Sequence, residues 1–313
     1  MGVTREDFIR SGRYLEIPDA EWEAELATRK HVVGCYMAND AWSVNIKKNV
    51  GILLTSSSYG RPYLKGSVES FKQLGYWLTL SYDNFINPEF QGINYHDWMP
   101  PKDVMENVDT FLLTHHQTWG GVSYPFIWQL KLASGIMQNF EYALVVNGDC
   151  IVEKPEGFPK MLEMLGDGDI MSSGPALERE IGTAGLLMKS SAFFKIADHM
   201  ISHMVPFEEY EKSTQEFGNT EGRLAVAVRE LGLKLVPVEP GYNEQLHIPG
   251  TGFWYNTIGF RHIHGEHNYA YRYKAVPPEP KYLDERFMGD EYRQIKAYWE
   301  AKDKSILENW WAK

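Results

Sequence analysis

Short apolar runs bounded by polar turns recur from Val50 to Val238, and stretches of helical periodicity fill the gaps between them. GILLTSS, starting at Gly51, reads as a buried strand closed by a Ser/Gly loop. Pro62 then stands where a first helical residue belongs, Leu64, Val68, Phe71 and Leu74 follow at helical spacing, and Gly75 ends the helix. WLTLSYDN reads as the next strand and runs into Asp83 and Asn84. Together these make a β-α-β unit, for which a parallel sheet is the simplest arrangement. The pattern repeats in DTFLLTHH, the Gly120-Gly121 turn, and a helix through Phe126, Leu130, Ala133 and Met137, with Pro125 early enough to be tolerated. YALVV is a further strand and runs into Asn147-Gly148-Asp149-Cys150. A helix from Phe158 to Leu165, the strands DIMSSG and AGLLMK, and the helix SSAFFKIADHM come next. Glu221 opens a helix closed by Gly232, which feeds the strand LKLVPV.

The flanks differ from this middle. The first residues pair charged helical text (AEWEAELATRK) with the apolar patch HVVGCYM, so 1–49 reads as an N-terminal arm packed on a main domain at 50–274. Residues 275–313 are rich in Pro, Tyr and charge, and read as a wrapping extension with an amphipathic helix from Tyr292 to Trp299. No internal repeat is visible. The expected fold is one α/β domain, Rossmann-like, with a mostly parallel central sheet and arms at both ends.

Composition narrows this picture. With 313 residues and 43% hydrophobic content, the chain can bury a substantial core, which excludes intrinsic disorder as its main state. Two cysteines cannot form a disulfide framework and fit a reducing compartment. The start, MGVTREDFIRSG, lacks the apolar core of a signal peptide, and Glu6 stands where an acylation signal has Ser or Thr. No apolar run approaches the ~20 residues that cross a bilayer. A cytoplasmic location without stable membrane insertion is expected. The formal charge of −11 argues against wrapping a bare polyanion. Aromatic content of 14%, with 10 Trp and 18 Tyr, exceeds what a core requires and raises the question of stacking surfaces.

Ligands of open α/β sheets bind beyond the carboxyl ends of the strands. Those ends carry Ser56, Asp83 and Asp149. No G-x-G-x-x-G follows the first strand and no G-x-x-x-x-G-K-[ST] occurs, so a bound nucleotide needs another way to hold its phosphates, and a divalent metal supplies one. Asp149, just past a buried strand and next to the permissive Gly148, is the leading ligand for Mg²⁺ or Mn²⁺; its alternative role is to cap the following turn. In Phe260-Arg261-His262-Ile263-His264-Gly265-Glu266-His267, an extended backbone puts His262 and His264 on one face, where two imidazoles can share a metal or one can orient the other. His264 is the preferred ligand of the two. Glu221 sits at a helix start, where the helix dipole favours a carboxylate; it is either a stabiliser of that end or a general base.

Taken in order, these segments resemble a GT-A-type glycosyltransferase, a family in which one Rossmann-like domain binds a nucleotide-sugar donor. The family's Asp-x-Asp motif follows a buried central strand, as Asn147-Gly148-Asp149 does in VVNGDCIV. The resemblance implies that Asp149 coordinates a metal holding the donor diphosphate. Asn147 replaces the first acidic residue, in a place that contacts the ribose or the metal. GTAGLLMKSSAFFKI resembles the family's strand and helix near the acceptor, and NTEGRLAVAVRELGLKLVPV resembles the part carrying x-Glu-Asp. Thr220-Glu221-Gly222 lacks the Asp in the simplest register, and a shift of one puts Glu221 in the base position, leaving inverting and retaining stereochemistry both open. The family's late metal-binding histidine falls on His262 or His264, and LLTSSSYG and YDN imply nucleoside contacts from Ser56 and Asp83. Trp119 and Trp254 are candidate platforms for stacking on sugar or base.

The expected activity is metal-dependent transfer of a sugar from a nucleoside-diphosphate sugar to a hydroxyl acceptor, with Mn²⁺ or Mg²⁺ as cofactor. The acceptor class stays open among glycan, lipid, protein, small molecule and modified nucleic-acid base. Three rivals stand beside it. A nucleotidyltransferase ranks low, because TSSSYGRPYLKG has Arg61 and Lys65 without closely paired glycines. A hydrolase would use His262, His264 and Asp149, and a binding protein would turn nothing over.

Overall fold

The computed structural model describes residues 31–36, 47–57, 60–83, 100–116, 123–172, 176–177, 180–203, 220–237, 259–263 and 279–303. Its elements begin with β1 (His31–Tyr36), β2 (Lys47–Ser57), α1 (Arg61–Lys72), β3 (Tyr76–Asp83), α2 (Lys102–Glu106) and β4 (Thr110–His116). There follow α3 (Ser123–Met137), β5 (Tyr142–Asn147), β6 (Cys150–Val152), α4 (Gly157–Leu165), β7 (Ile170–Ser172), β8 (Ala176–Leu177), β9 (Glu180–Ile181) and β10 (Gly185–Lys189). The remainder are α5 (Ser190–Ser202), α6 (Thr220–Glu230), β11 (Leu235–Val236), β12 (Phe260–His262), a 3₁₀ turn at Pro280–Tyr282, α7 (Glu285–Met288) and α8 (Asp290–Ala301). The expected helix AEWEAELATRK lies outside the described residues.

Eight strands form the main sheet in the order β1-β4-β3-β2-β5-β10-β7-β11. Six of them run the same way; β1 and β10 oppose their neighbours. This is the mixed α/β, mostly parallel sheet expected from the sequence. Residues His31–Tyr36 of the apolar patch form β1, which adds an antiparallel edge beside β4. The reversed β10 had no counterpart in the sequence pattern, because an apolar strand reads alike in either direction.

Alternation within the strands explains the layers. Ile52 and Leu54 face one core, shared with Leu64, Phe71 and Phe158, whereas Leu53 faces a second, shared with Leu130, Phe193 and Leu224. Leu144 and Val146 repeat the split against Ala143 and Val145. Helices α1, α2 and α4 therefore cover one face, and α3, α5 and α6 the other, so the central strands read as near-continuous apolar runs. A third, smaller core joins Tyr63, Ile151 and Ile263 to Leu283, Ile295 and Tyr298. It seats the C-terminal helices against α1 and a two-stranded ribbon of β6 and β12. Contact is close at Gly66, where a Cβ would stand 2.7 Å from the Tyr282 carbonyl oxygen. Among the described residues, no helix is long and apolar enough to cross a membrane.

Candidate active site

The chain moves outward from β2 through β3 to β4, then returns to place β5 on the other side of β2. Strand order reverses there, and a crevice opens beyond the carboxyl ends at such a point. Register brings the polar ends together: Thr55 pairs with Asn147, and Ser57 with Asp83. The β2–β5 ladder continues one step past β5, through the Gly148 N–H donated to the Thr55 carbonyl at 2.7 Å. This presses Gly148 onto Ser56, so closely that a Cβ at 148 would lie 2.5 Å from the Ser56 Cβ. Only glycine fits at that point.

Past Gly148 the chain enters β6, which pairs antiparallel with β12 so that Cys150 faces His262. Asp149 is held twice. Its carbonyl accepts the Ile263 N–H at 2.8 Å, and its Oδ1 lies 3.0 Å from His262 Nε2. Both side chains are mostly buried yet keep some exposure, 13% and 18%. One donor atom each from Asp149, Cys150 and His262 lies within 4.8 Å of the others. A carboxylate and an imidazole at this spacing fit a divalent ion. The thiol is a poorer donor. Cys150 is fully buried, its Sγ points at the Ala184 carbonyl at 3.5 Å, and burial, then the charge of Asp149, push its pKa well up, so it stays protonated.

Tyr63, from the first turn of α1, backs this corner. Burial, then the charges of Asp149 and Glu291, hold its phenol well above the ordinary range, so it remains neutral at any pH where the protein works. Glu221 reaches the same edge of the sheet from the first turn of α6, its Oε1 accepting the Thr183 hydroxyl at 3.1 Å. Thr183 lies just before β10, whose Gly185 pairs with Val146 near the end of β5. Neighbouring Ala184 receives the Cys150 thiol, so Glu221, Thr183, Cys150, Asp149 and His262 form one continuous line of contacts.

The sequence-derived candidates thus divide. Ser56, Asn147, Asp149, His262 and Glu221 converge on one edge of the sheet. Asp83 ends β3 on that edge, but its side chain is 0% exposed. His264, Trp119 and Trp254 lie outside the described residues. Sequence reasoning missed Gln129, a buried α3 residue whose Nε2 donates to the Ser56 carbonyl at 2.7 Å and the Ser81 carbonyl at 3.0 Å, tying the ends of β2 and β3 together. The available signal was a lone amide inside the apolar helix text WQLKLA. Thr183 and Tyr63 carried none.

No protein-family model matches this sequence, and no curated protein matches it. Among solved structures, a cytidylyltransferase from Leptospira borgpetersenii aligns over 83% of this chain and 97% of its own, at 12% identity and a TM-score of 0.37. A 4-diphosphocytidyl-2C-methyl-D-erythritol synthase from Anaerococcus prevotii aligns over 61% and 88%, at 10% identity and a TM-score of 0.34. A protein from Thermus thermophilus named as a mannose-1-phosphate geranyltransferase aligns over 61% and 73%, at 10% and 0.35. By their names two of the three are transferases and one is a synthase. At such low scores no chemistry passes from them to this chain.

Proposed function

We propose that this protein is a metal-dependent transferase acting on a nucleoside-diphosphate sugar, passing the sugar to a hydroxyl acceptor. One observation carries the reading: Asp149 Oδ1 and His262 Nε2 meet at 3.0 Å beyond the end of β5, on the edge to which Thr183 brings Glu221. Asp149 and His262 would hold Mn²⁺ or Mg²⁺, with His264 as a further ligand. The chemistry supplied there would be positive charge to offset that of the diphosphate leaving group. The rest falls to the chain's own groups. Ser56 and Asn147 would bind the nucleoside, with the fully buried Asp83 shaping the strand end behind them. Trp119 and Trp254 would stack on sugar or base, and Glu221 would take the acceptor proton, its carboxylate oriented by Thr183. Neutral Tyr63 and the protonated Cys150 keep the floor of the site free of further negative charge.

The test is release of nucleoside diphosphate from a panel of nucleotide sugars with Mn²⁺, with and without acceptors. Metal-dependent release is expected, and Asp149→Asn is expected to lower it about 100-fold or more, the size seen when a group facing developing charge is lost. Release unchanged by that substitution would remove the metal from Asp149. Pyrophosphate formed from a nucleoside triphosphate and a sugar 1-phosphate would instead make the reaction nucleotidyl transfer.

A further inference from the structure

A second cluster of metal-binding groups lies away from this site, where the last turns of α5 and α6 meet. In HMISH, His199 lies in the last turn of α5 and His203 caps its C-terminus four residues on, which brings the two rings to the same side. Glu230, the last residue of α6, packs against them, its Oε2 2.9 Å from His199 Nε2. The two imidazole rings stack with centroids 4.1 Å apart and planes at 19°. One donor atom from each of the three residues lies within 4.8 Å of the others.

We infer that His199, His203 and Glu230 form a second metal site, for a divalent ion of the zinc class, that clamps the C-terminal turn of α5 to that of α6. Three features carry this. Two imidazoles and one carboxylate favour Zn²⁺, Co²⁺ or Ni²⁺ over Mg²⁺, which prefers all-oxygen ligands. Histidines at i and i+4 on one helix face are a recurrent zinc-binding arrangement. The third feature is a fixed tautomer. His203 Nδ1 lies 2.9 Å from the His199 carbonyl, an oxygen that only accepts, so Nδ1 carries the hydrogen and Nε2 presents its lone pair. Ligating histidines are oriented by such a bond from their other ring nitrogen. At His199 the ion takes the place of the hydrogen between Nε2 and Glu230. As Nε2 gives that proton to solvent, Nδ1 takes one up, so the ring ligates as neutral imidazole. His203 is exposed and adjusts its ring; His199, with only 12% of its side chain exposed, is the fixed partner.

The clamp lies at the far end of α6 from Glu221, about 14 Å along a helix rising 1.5 Å per residue. It is independent of the proposed transfer reaction. The experiment uses the full chain, stripped with a chelator and titrated with Co²⁺ and then Zn²⁺ alone. Expected is one Co²⁺ with a visible absorption band, displaced by Zn²⁺, and a higher unfolding midpoint with Zn²⁺ bound. His203→Gln and Glu230→Gln, both at exposed helix ends, should each weaken Zn²⁺ binding at least tenfold and remove the thermal gain, with far-UV circular dichroism unchanged. Asp149→Asn should leave this binding intact. Zinc affinity equal in His203→Gln and the parent chain would overturn the assignment. So would loss of the band in Asp149→Asn alone, which would place the ion at Asp149, Cys150 and His262.

Discussion

Val50 to Leu54 on β2 and Ala143 to Val146 on β5 are buried on both faces of the main sheet, each strand flanked by a helix that the adjacent sequence supplies. The ribbon of β6 and β12 is built otherwise. Its strands are three residues each, come from distant parts of the chain, and pack through Ile151 and Ile263 onto Leu283, Ile295 and Tyr298 of a C-terminal layer. Asp149 stands where the two regions join: its backbone continues from β5, while its side chain faces β12. On the proposed function, the sheet would set where the donor binds and the ribbon would supply the metal ligands, so the site would depend on its C-terminal layer as well as on its core.

The largest effect comes from cutting a core side chain in each region. Ile295→Ala and Leu54→Ala both remove a buried aliphatic group, and each should cost about 2–5 kcal/mol in denaturant unfolding. Their second readout separates the regions. If Asp149 and His262 hold the ion, Ile295→Ala should also weaken Mn²⁺ binding, because Ile295 packs with Ile151 and Ile263 close to them in the chain. It should do so more than Leu54→Ala, whose core reaches the ribbon only through Cys150, Val152 and Phe260. Equal Mn²⁺ affinity in the two variants would show that the C-terminal layer does not support the site. Next is Gly148→Ala, at the seam itself. Its Cβ would press on Ser56, and overpacking of this kind costs about 1–3 kcal/mol. The cost should appear as lower stability together with displaced Mn²⁺ affinity, read by thermal unfolding and metal titration.

These contrasts also explain what the sequence could disclose. Strands β2, β3 and β5 were legible because each is a local apolar run with a helix beside it, and Pro62 and Gly75 mark the ends of α1 through their own backbone preferences. The position of Asp149 was legible for the same reason, since it follows a strand that needs no distant partner to be recognised. The pairing of Cys150 with His262 was not, because three-residue strands carry no periodicity and their register depends on a remote segment. Gln129 and Thr183 were hidden by type: buried amides and hydroxyls look ordinary until their partners are known, here the Ser56 and Ser81 carbonyls and the Glu221 carboxylate.

Thr183→Val tests that hidden layer with a smaller effect. It removes the hydroxyl that donates to Glu221 at near-constant volume, a single hydrogen bond to a charged group worth about 1.5–3 kcal/mol at most. If Glu221 takes the acceptor proton, turnover should fall roughly tenfold, with donor KM unchanged and Mn²⁺ affinity unaffected. A change in donor KM with turnover intact would instead make Thr183 part of the donor pocket. Thr183→Ser, which keeps the hydroxyl, should restore most of the activity.

The smallest expected effect concerns how the C-terminal layer is fastened at its rim. Arg286 on α7 donates to Asp103 of α2 at 3.0 Å and to the buried Asp284 that caps α7. The hydrogen bond from Arg286 holds the Asp103 carboxyl below its ordinary range. A carboxylate whose pKa is depressed on folding stabilises fully above its unfolded value, near 3.9, and loses that contribution as pH falls through the lower folded value. Both side chains are half exposed, so solvent screening limits the pair to about 0.2–1 kcal/mol. Asp103→Asn should therefore lower the unfolding midpoint slightly at pH 7 and by progressively less as pH falls below about 4, and high salt should shrink the difference. A gap between the two proteins that does not narrow on acidification would mean that Asp103 supports α2 by packing and not by its charge. The C-terminal layer would then be fastened through Asp284, the Arg61–Phe287 contact and the Ile295 core.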